Sequence, residues 1–528
     1  MANRVGAPTG PVAPCLALGG ALLALVALAA GACRARAADR EAEALAADLR
    51  RLYAPPAGPG ERRRRRQPVR LPDGREVTRE QAYRDHPRVP AACRALVESR
   101  AGDDAMLGAW LLGTLPASRA HEAEAVLREV VAGPDPRAAF EAALALERLG
   151  GAGAIEALER AAGTGAIPEL RAPPGPRALA PSFRRGVSWW FSEAGHDAGA
   201  ASFRRLAALG VTWVSIHTWD PLQRGLHDPV FAEPRRRFGL PDLAPIVENA
   251  HAAGLAVMLK PHLEMRGYRP TPEELRVLRG PDEAARRKLL AAIEPLVRTD
   301  MGGHNRIEMK SEADWRQWFR GYESWLLAYA GAAAAAGADA FCVGRELDTT
   351  VTRREGDWRR LIARVRGVFP GPLAYSANFD TWQEVRIWDA LDAIGVSAYF
   401  PLSDRHDPSL GELEAGWARA LGPLEEASRR YARPVLLTEA GFPSVPDAAR
   451  APWREARQPA DVWLQARCYE ATLRAVAERP WIAGAFFWLW ERSAEPPFRD
   501  PSYTLPGKPA AYVMARWYRA APPLKPGE

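Results

Sequence analysis

From Arg185 onward, short apolar runs alternate with longer stretches whose apolar positions recur every three to four residues. Runs of five to eight apolar residues, bounded by turn residues, read as strands buried on both faces. The intervening stretches read as amphipathic helices. Eight strand runs follow from this pattern: Gly186 to Trp190, Val211 to His217, Leu255 to His262, Ala340 to Glu346, Leu373 to Asn378, Ala393 to Tyr399, Val435 to Glu439 and Ala483 to Trp490. Helical patterns follow them, as in Ala198 to Leu209, Asp242 to Ala253, Trp358 to Val368 and Val462 to Ala477. Eight strand–helix repeats predict an α/β chain folded as a (β/α)8 TIM barrel over residues 184–520, with a tail at 521–528.

Upstream the rhythm is different. Leu107 to Leu115, Ala120 to Val131, a helix opened by Asp135-Pro136-Arg137 and closed by Ala143 to Gly150, and another from Ala154 alternate long helix with short turn. Pro136 suits a first helical turn. The spacing resembles a short HEAT-like helical repeat, so a smaller N-terminal all-α domain is expected at 101–168. Residues 38–100 are rich in Arg, Ala and Pro with weak helical periodicity, and 169–183 form a Pro-rich linker.

The first 37 residues read as an export signal. Arg4 precedes the apolar run Cys15 to Ala32, which has the form of a signal-peptide core. Ala35-Arg36-Ala37 fits a cleavage site, Ala30-Gly31-Ala32-Cys33 resembles a lipobox, and a retained single anchor is the third alternative. Each exports the remaining chain, to the periplasm, the cell surface as a lipoprotein, or the medium. Membrane attachment is expected only through this segment.

Composition narrows the picture little further. The chain has 528 residues and a formal charge of +7, partly from the five-arginine run Arg62 to Arg66. That run lies between Pro-rich stretches with no interleaved aromatics. It reads as solvated linker, and no nucleic-acid partner is expected. The 5 cysteines show no metal spacing, so buried free thiols are expected. Of 18 tryptophans, only Trp110 precedes the linker. An excess of indoles in the barrel suits a cleft that stacks the C–H faces of sugar rings.

The chemistry lies at the strand ends. Glu346 ends the fourth strand pattern and Glu439 the seventh. All C-terminal ends of barrel strands face one mouth, where TIM barrels place their active sites. Two carboxylates on one mouth are the equipment for cleaving a glycosidic bond. Polar and aromatic residues at other strand ends are candidate sugar contacts: Trp190, His217, Trp219, Lys260, His262, Asn378, Tyr399, and Trp488 with Trp490 as its rival. Metal-dependent hydrolysis would want several His and Asp ligands at these ends, usually with a His-x-His pair. No such pair occurs. No metal or cofactor is expected.

Several segments together resemble glycoside hydrolase family 113, a clan A family of bacterial endo-β-1,4-mannanases. They are Arg-Gly-Val-Ser-Trp-Trp (Arg185 to Trp190), Leu-Lys-Pro-His (Leu259 to His262), Val-Gly-x-Glu-Leu (Val343 to Leu347), the Tyr-Phe-Pro-Leu residues from Tyr399, Leu-Leu-Thr-Glu-Ala-Gly-Phe (Leu436 to Phe442) and the Trp-rich Gly484 to Trp490. The resemblance implies a retaining mechanism on an oligo- or polysaccharide. Glu346 would be the acid/base, with a raised pKa, and Glu439 the nucleophile. It further implies that Tyr399 hydrogen-bonds the nucleophile and that Trp488 floors the sugar site beside the scissile bond.

Two departures stand out. Arg345 precedes the acid/base, where clan A enzymes commonly carry a small polar residue such as Asn. A guanidinium there favours ionised Glu346, or binds an anionic sugar. The second departure is the long connection from Glu264 to Glu312, with a helical insert around Asp282 to Val297. Its Gly302-Gly303-His304-Asn305 segment has the composition of a mobile, substrate-facing loop.

Overall fold

The computed structural model describes residues 39–51, 53, 68–70, 76–78, 86–98, 102–115, 117–149, 178–190, 196–223, 226–231, 243–265, 272–280, 282–297, 303–454, 458–491 and 497–522. The signal region, the arginine run, the helix expected from Ala154 and most of the Pro-rich linker lie outside them. The chain divides into two compact units, Met1–Pro168 and Glu169–Glu528.

In the N-terminal unit, helices form at Val89–Glu98, Gly102–Leu112, Ala120–Val131 and Pro136–Arg148. Asp135 caps the last, its carboxylate accepting from the backbone of Arg137 and Ala138. Residues 39–51 are also helical and bury Leu45, Ala46 and Leu49. The segment that reads as weakly helical therefore contributes real core. A short antiparallel hairpin, Pro68–Arg70 with Glu76–Thr78, adds the strands that an all-α reading lacks.

The C-terminal unit is the expected barrel. Its strands, in chain order, are β1 (Arg184–Trp190), β2 (Trp213–Gln223), β3 (Ala256–Met265), β4 (Ala340–Arg345), β5 (Leu373–Asn378), β6 (Ile394–Ser397), β7 (Val435–Ala440) and β8 (Ile482–Trp490). Neighbours pair in parallel, and β8 closes on β1. Burial explains why the strands read so plainly: every residue of β6 and β7 is buried. The connecting helices are firmly delimited. Ser311 caps Glu312–Ala336 and Gly337 ends it at φ 77°, a left-handed position that glycine takes without a Cβ clash. Ser409 and Glu412 form a capping box on Leu410–Tyr431.

Met258, Ala340 and Phe486 pack together at the N-terminal end of the barrel. Above them, Ser376 hydrogen-bonds Ser397 at 3.0 Å and Thr438 at 2.6 Å. Gly395 is required here, since a Cβ would fall 2.1 Å from the carbonyl oxygen of Tyr375. Cys93, Cys342 and Cys468 are buried and unbridged. No described helix is long and apolar enough to cross a membrane.

Candidate active site

Strand register assembles the mouth. Trp190 of β1 lies beside His217 of β2, and His217 beside Lys260 of β3. Trp219 pairs with His262 one rung higher, although its side chain lies outside the described residues. On the far wall Ser397 of β6 pairs with Glu439 of β7.

Glu439 is 2% exposed. Its Oε1 sits 2.6 Å from Lys260 Nζ, and the Tyr399 hydroxyl donates to Oε2 at 2.9 Å. Both carboxylate oxygens are thus fixed from opposite sides. Lys260 is itself fully buried, and a buried ammonium is tolerable only with such a partner. His262 Nε2 lies 4.0 Å from Oε1 and shares a 2.8 Å hydrogen bond with His217 Nδ1. Burial first, then neighbouring positive charge including that of Lys260 and Arg345, pushes both imidazoles well below 6.5. The pair is neutral, and one ring donates to the other.

His217, His262 and Glu439 place ligating atoms within 4.8 Å of one another, a spacing that suits a metal ion. The chemistry of the set does not. The two imidazoles spend facing nitrogens on each other, and Lys260 already brings positive charge to Glu439 Oε1.

Glu346 leaves the end of β4 with φ 52°, in the left-handed region that a side chain enters at a cost of roughly 1 kcal/mol or more. Hydrogen bonds hold the turn: Glu346 N donates to Ser376 O at 2.8 Å, and Leu347 N to the Tyr375 hydroxyl at 2.9 Å. The carboxylate is met by Arg345 Nη1 at 2.9 Å and His304 Nε2 at 3.3 Å, both on Oε2. Burial pushes its pKa up. The Arg345 guanidinium, His304 and the Ser397 hydroxyl outweigh burial and hold it well below the usual glutamate range. The raised pKa expected of an acid/base is therefore not the state of the ligand-free site. Arg345 is the physical reason.

Two residues on, Asp348 is pushed the other way, to about 6. Burial dominates, hydrogen bonds from Asn378 and Thr381 oppose it, and the negative charge of Glu346 adds to it. Asn378 donates to Asp348 Oδ2 at 3.1 Å, so its amide is engaged with this carboxyl.

The aromatic residues sort themselves by direction. Trp190 lies parallel to His217, with 6.3 Å between centroids and 16° between planes. Trp488 lies parallel to His262 at 6.4 Å and meets Trp190 edge-on at 5.7 Å. Both indoles are half-buried, above histidines that are fully buried. Trp490 departs from the group: it is 5% exposed, with its ring under the Arg205 guanidinium of the outer helix His196–Ala208. Strict alternation puts Trp488 and Trp490 on one face. A register shift between Phe487 and Trp490 breaks it.

The structure thus brings Trp190, His217, Lys260, His262, Tyr399, Glu439 and Trp488 into one cluster, and Arg345, Glu346 and Asn378 into an adjoining one. Tyr399 feels both acids, since Glu439 and Glu346 each add to the upward push that burial gives its hydroxyl. Sequence reading misses Asp348 and the bond from His304 to Glu346. His304 is buried and sits in a short 3-10 turn, Gly303–Arg306, rather than in a mobile loop. Its one sequence signal is being the lone histidine of the long connection after β3.

The profile of Glycoside Hydrolase Family 113 matches residues 270–508. No curated protein sequence matches the chain. A solved GH113 β-mannanase from Alicyclobacillus acidocaldarius is 28% identical, with a TM-score of 0.51, over 66% of this chain and 99% of its own. A second solved GH113 β-1,4-mannanase is 25% identical, with a TM-score of 0.50, over 64% and 99%. A third, at 24% identity and a TM-score of 0.52, shares the fold. The profile spans β4 to β8 and so takes in both strand-end glutamates, and on that match the barrel is that of a glycoside hydrolase.

Proposed function

We propose that the chain is an exported retaining glycoside hydrolase that cleaves a β-linked, mannan-like polysaccharide by double displacement. Glu439 attacks the anomeric carbon as the bond to the leaving oxygen breaks, and Glu346 gives that oxygen its proton. Glu346, now a carboxylate, takes a proton from water. The water oxygen attacks the anomeric carbon, the bond to Glu439 breaks, and the product keeps its configuration. Lys260 and Tyr399 hold the nucleophile still, while Trp190 and Trp488 offer the sugar flat apolar faces. The two-point anchoring of Glu439 carries this reading, because it leaves the carboxylate one orientation at the mouth. The mannan-like substrate rests on the family profile and on the mannanases named above.

A second reading is a weakly catalytic or non-catalytic glycan-binding barrel. The observation that favours it is the Arg345 contact, which opposes a proton on Glu346. The same guanidinium suits an anionic sugar, whose carboxylate would draw it away from Glu346. Reducing-end release from mannan, glucan, xylan and uronate-containing polymers separates these readings. Hydrolysis of mannan, with the first product in the retained anomer by NMR, is the expected result. An inverted anomer, or no release from any polymer, overturns the proposal.

A further inference from the structure

Phe379 directly follows the last residue of β5, and Phe400 directly follows Tyr399 beyond β6. The loop after β7 brings a third ring to the same face of the barrel. Trp453 is 50% exposed, the one exposed tryptophan among the described residues. Its indole lies nearly parallel to the Phe379 ring, at 4.9 Å between centroids and 21° between planes. Phe379 in turn meets Phe400 edge-on at 6.0 Å, and Phe400 meets the fully buried Trp417. A continuous aromatic column therefore runs from the core to solvent and ends in an open indole face.

The loop holds that face in place. Pro452 O accepts from the Tyr503 hydroxyl, and the Tyr503 ring packs against Tyr399, the hydrogen-bond partner of Glu439. Gln458 donates to Asp447 at 2.7 Å, Ala451 N donates to Asp447 O, and Leu402 N to Ala449 O. Half of the indole stays in water, where the hydrophobic effect gives it nothing, and the ring is braced by its neighbours rather than folded away. A flat, rigid aromatic surface rimmed by polar groups is what binds the apolar face of a pyranose.

Resting on the glycoside hydrolase reading, we propose that Trp453 on Phe379 is the platform of a distal subsite. It would take one pyranose unit of the polysaccharide beside the catalytic cleft. The test is affinity electrophoresis of the full chain carrying Glu439→Gln, which abolishes turnover and keeps an amide oxygen for Lys260, in gels containing galactomannan, glucomannan, xylan or alginate. The expected result is retardation in at least one gel, an apparent affinity about fivefold to tenfold lower with Trp453→Ala added, and partial recovery with Trp453→Phe. Equal retardation with and without Trp453→Ala in every gel, or no retardation at all, overturns the platform. So does a wild-type dimer that Trp453→Ala converts to monomer with retardation unchanged, since the indole then serves a second copy of the chain. If Trp453→Ala loses retardation but the wild type hydrolyses none of these polymers, the hydrolase reading falls and the platform stands.

Discussion

The two strand-end glutamates occupy the same barrel mouth in opposite surroundings. Glu439 is the penultimate residue of a wholly buried strand, with one ammonium on one oxygen and one neutral hydroxyl on the other. Glu346 sits in a left-handed turn with a guanidinium and an imidazole on the same oxygen. The first environment fits a group that must stay a carboxylate in a fixed pose. The second is unusual for a group that must deliver a proton. Chemically similar side chains thus receive different constraints from neighbours that their own sequence positions do not announce.

The largest effects should come from the acids themselves. Glu439→Ala is expected to lower kcat on polysaccharide by about 10⁴-fold or more, with azide restoring turnover and giving an inverted glycosyl azide. Glu346→Gln should cost about 10²- to 10⁴-fold, and less on aryl glycosides whose leaving group needs no proton. If both variants keep wild-type rates, neither environment has catalytic meaning. Tyr399→Phe removes one of the two anchors. A hydrogen bond to a charged group is worth about 1.5–3 kcal/mol, so kcat should fall about ten- to hundredfold, with KM less affected. A change in KM alone would instead make the hydroxyl a plain substrate contact.

Arg345→Asn tests the asymmetry directly. Burial pushes Glu346 up, and Arg345 is the strongest group opposing it. Without the guanidinium the carboxyl should titrate higher, and the alkaline limb of kcat/KM should move up by about one pH unit or more. The stability effect has a definite sign. The depressed folded pKa of Glu346 contributes stability above its ordinary value of 4.5, and that contribution is lost as pH falls through the folded value. The variant should melt below the wild type at neutral pH, and the gap should shrink below about pH 4. An unmoved alkaline limb would mean that Arg345 does not set the proton affinity of Glu346 during turnover.

The sequence makes the barrel legible because parallel strands buried on both faces can only be apolar runs. Val435 to Glu439 is read within one residue of β7, Val435–Ala440. Glu439 and Tyr399 are legible for a related reason, as polar groups stranded at the end of apolar runs. Trp490 is not: the shift between Phe487 and Trp490 is a property of how β8 pairs with β1 and leaves no mark in a two-residue alternation. His304 is hidden because it reaches Glu346 across 42 residues, from a connection with no repeating pattern. Arg345 is visible as an oddity, but only its 2.9 Å contact shows which atom it serves.

Asp348 gives the smallest effect. It lies two residues from Glu346, yet burial pushes it up to about 6 while its neighbour is held low. A raised folded pKa stabilises the protein below the ordinary aspartate value of 3.8. That contribution fades as pH rises and is gone above about 6, where the buried carboxylate becomes a cost. Asp348→Asn keeps an oxygen for the Asn378 amide and removes the charge. It should raise the stability by about 1 kcal/mol at pH 7.5, seen as a gain of a few degrees in Tm, and leave it unchanged near pH 4. An equal shift at both pH values would mean that packing, rather than a buried charge, distinguishes Asp348. The opposite pushes on Glu346 and Asp348 would then have no consequence for stability in the turn after β4.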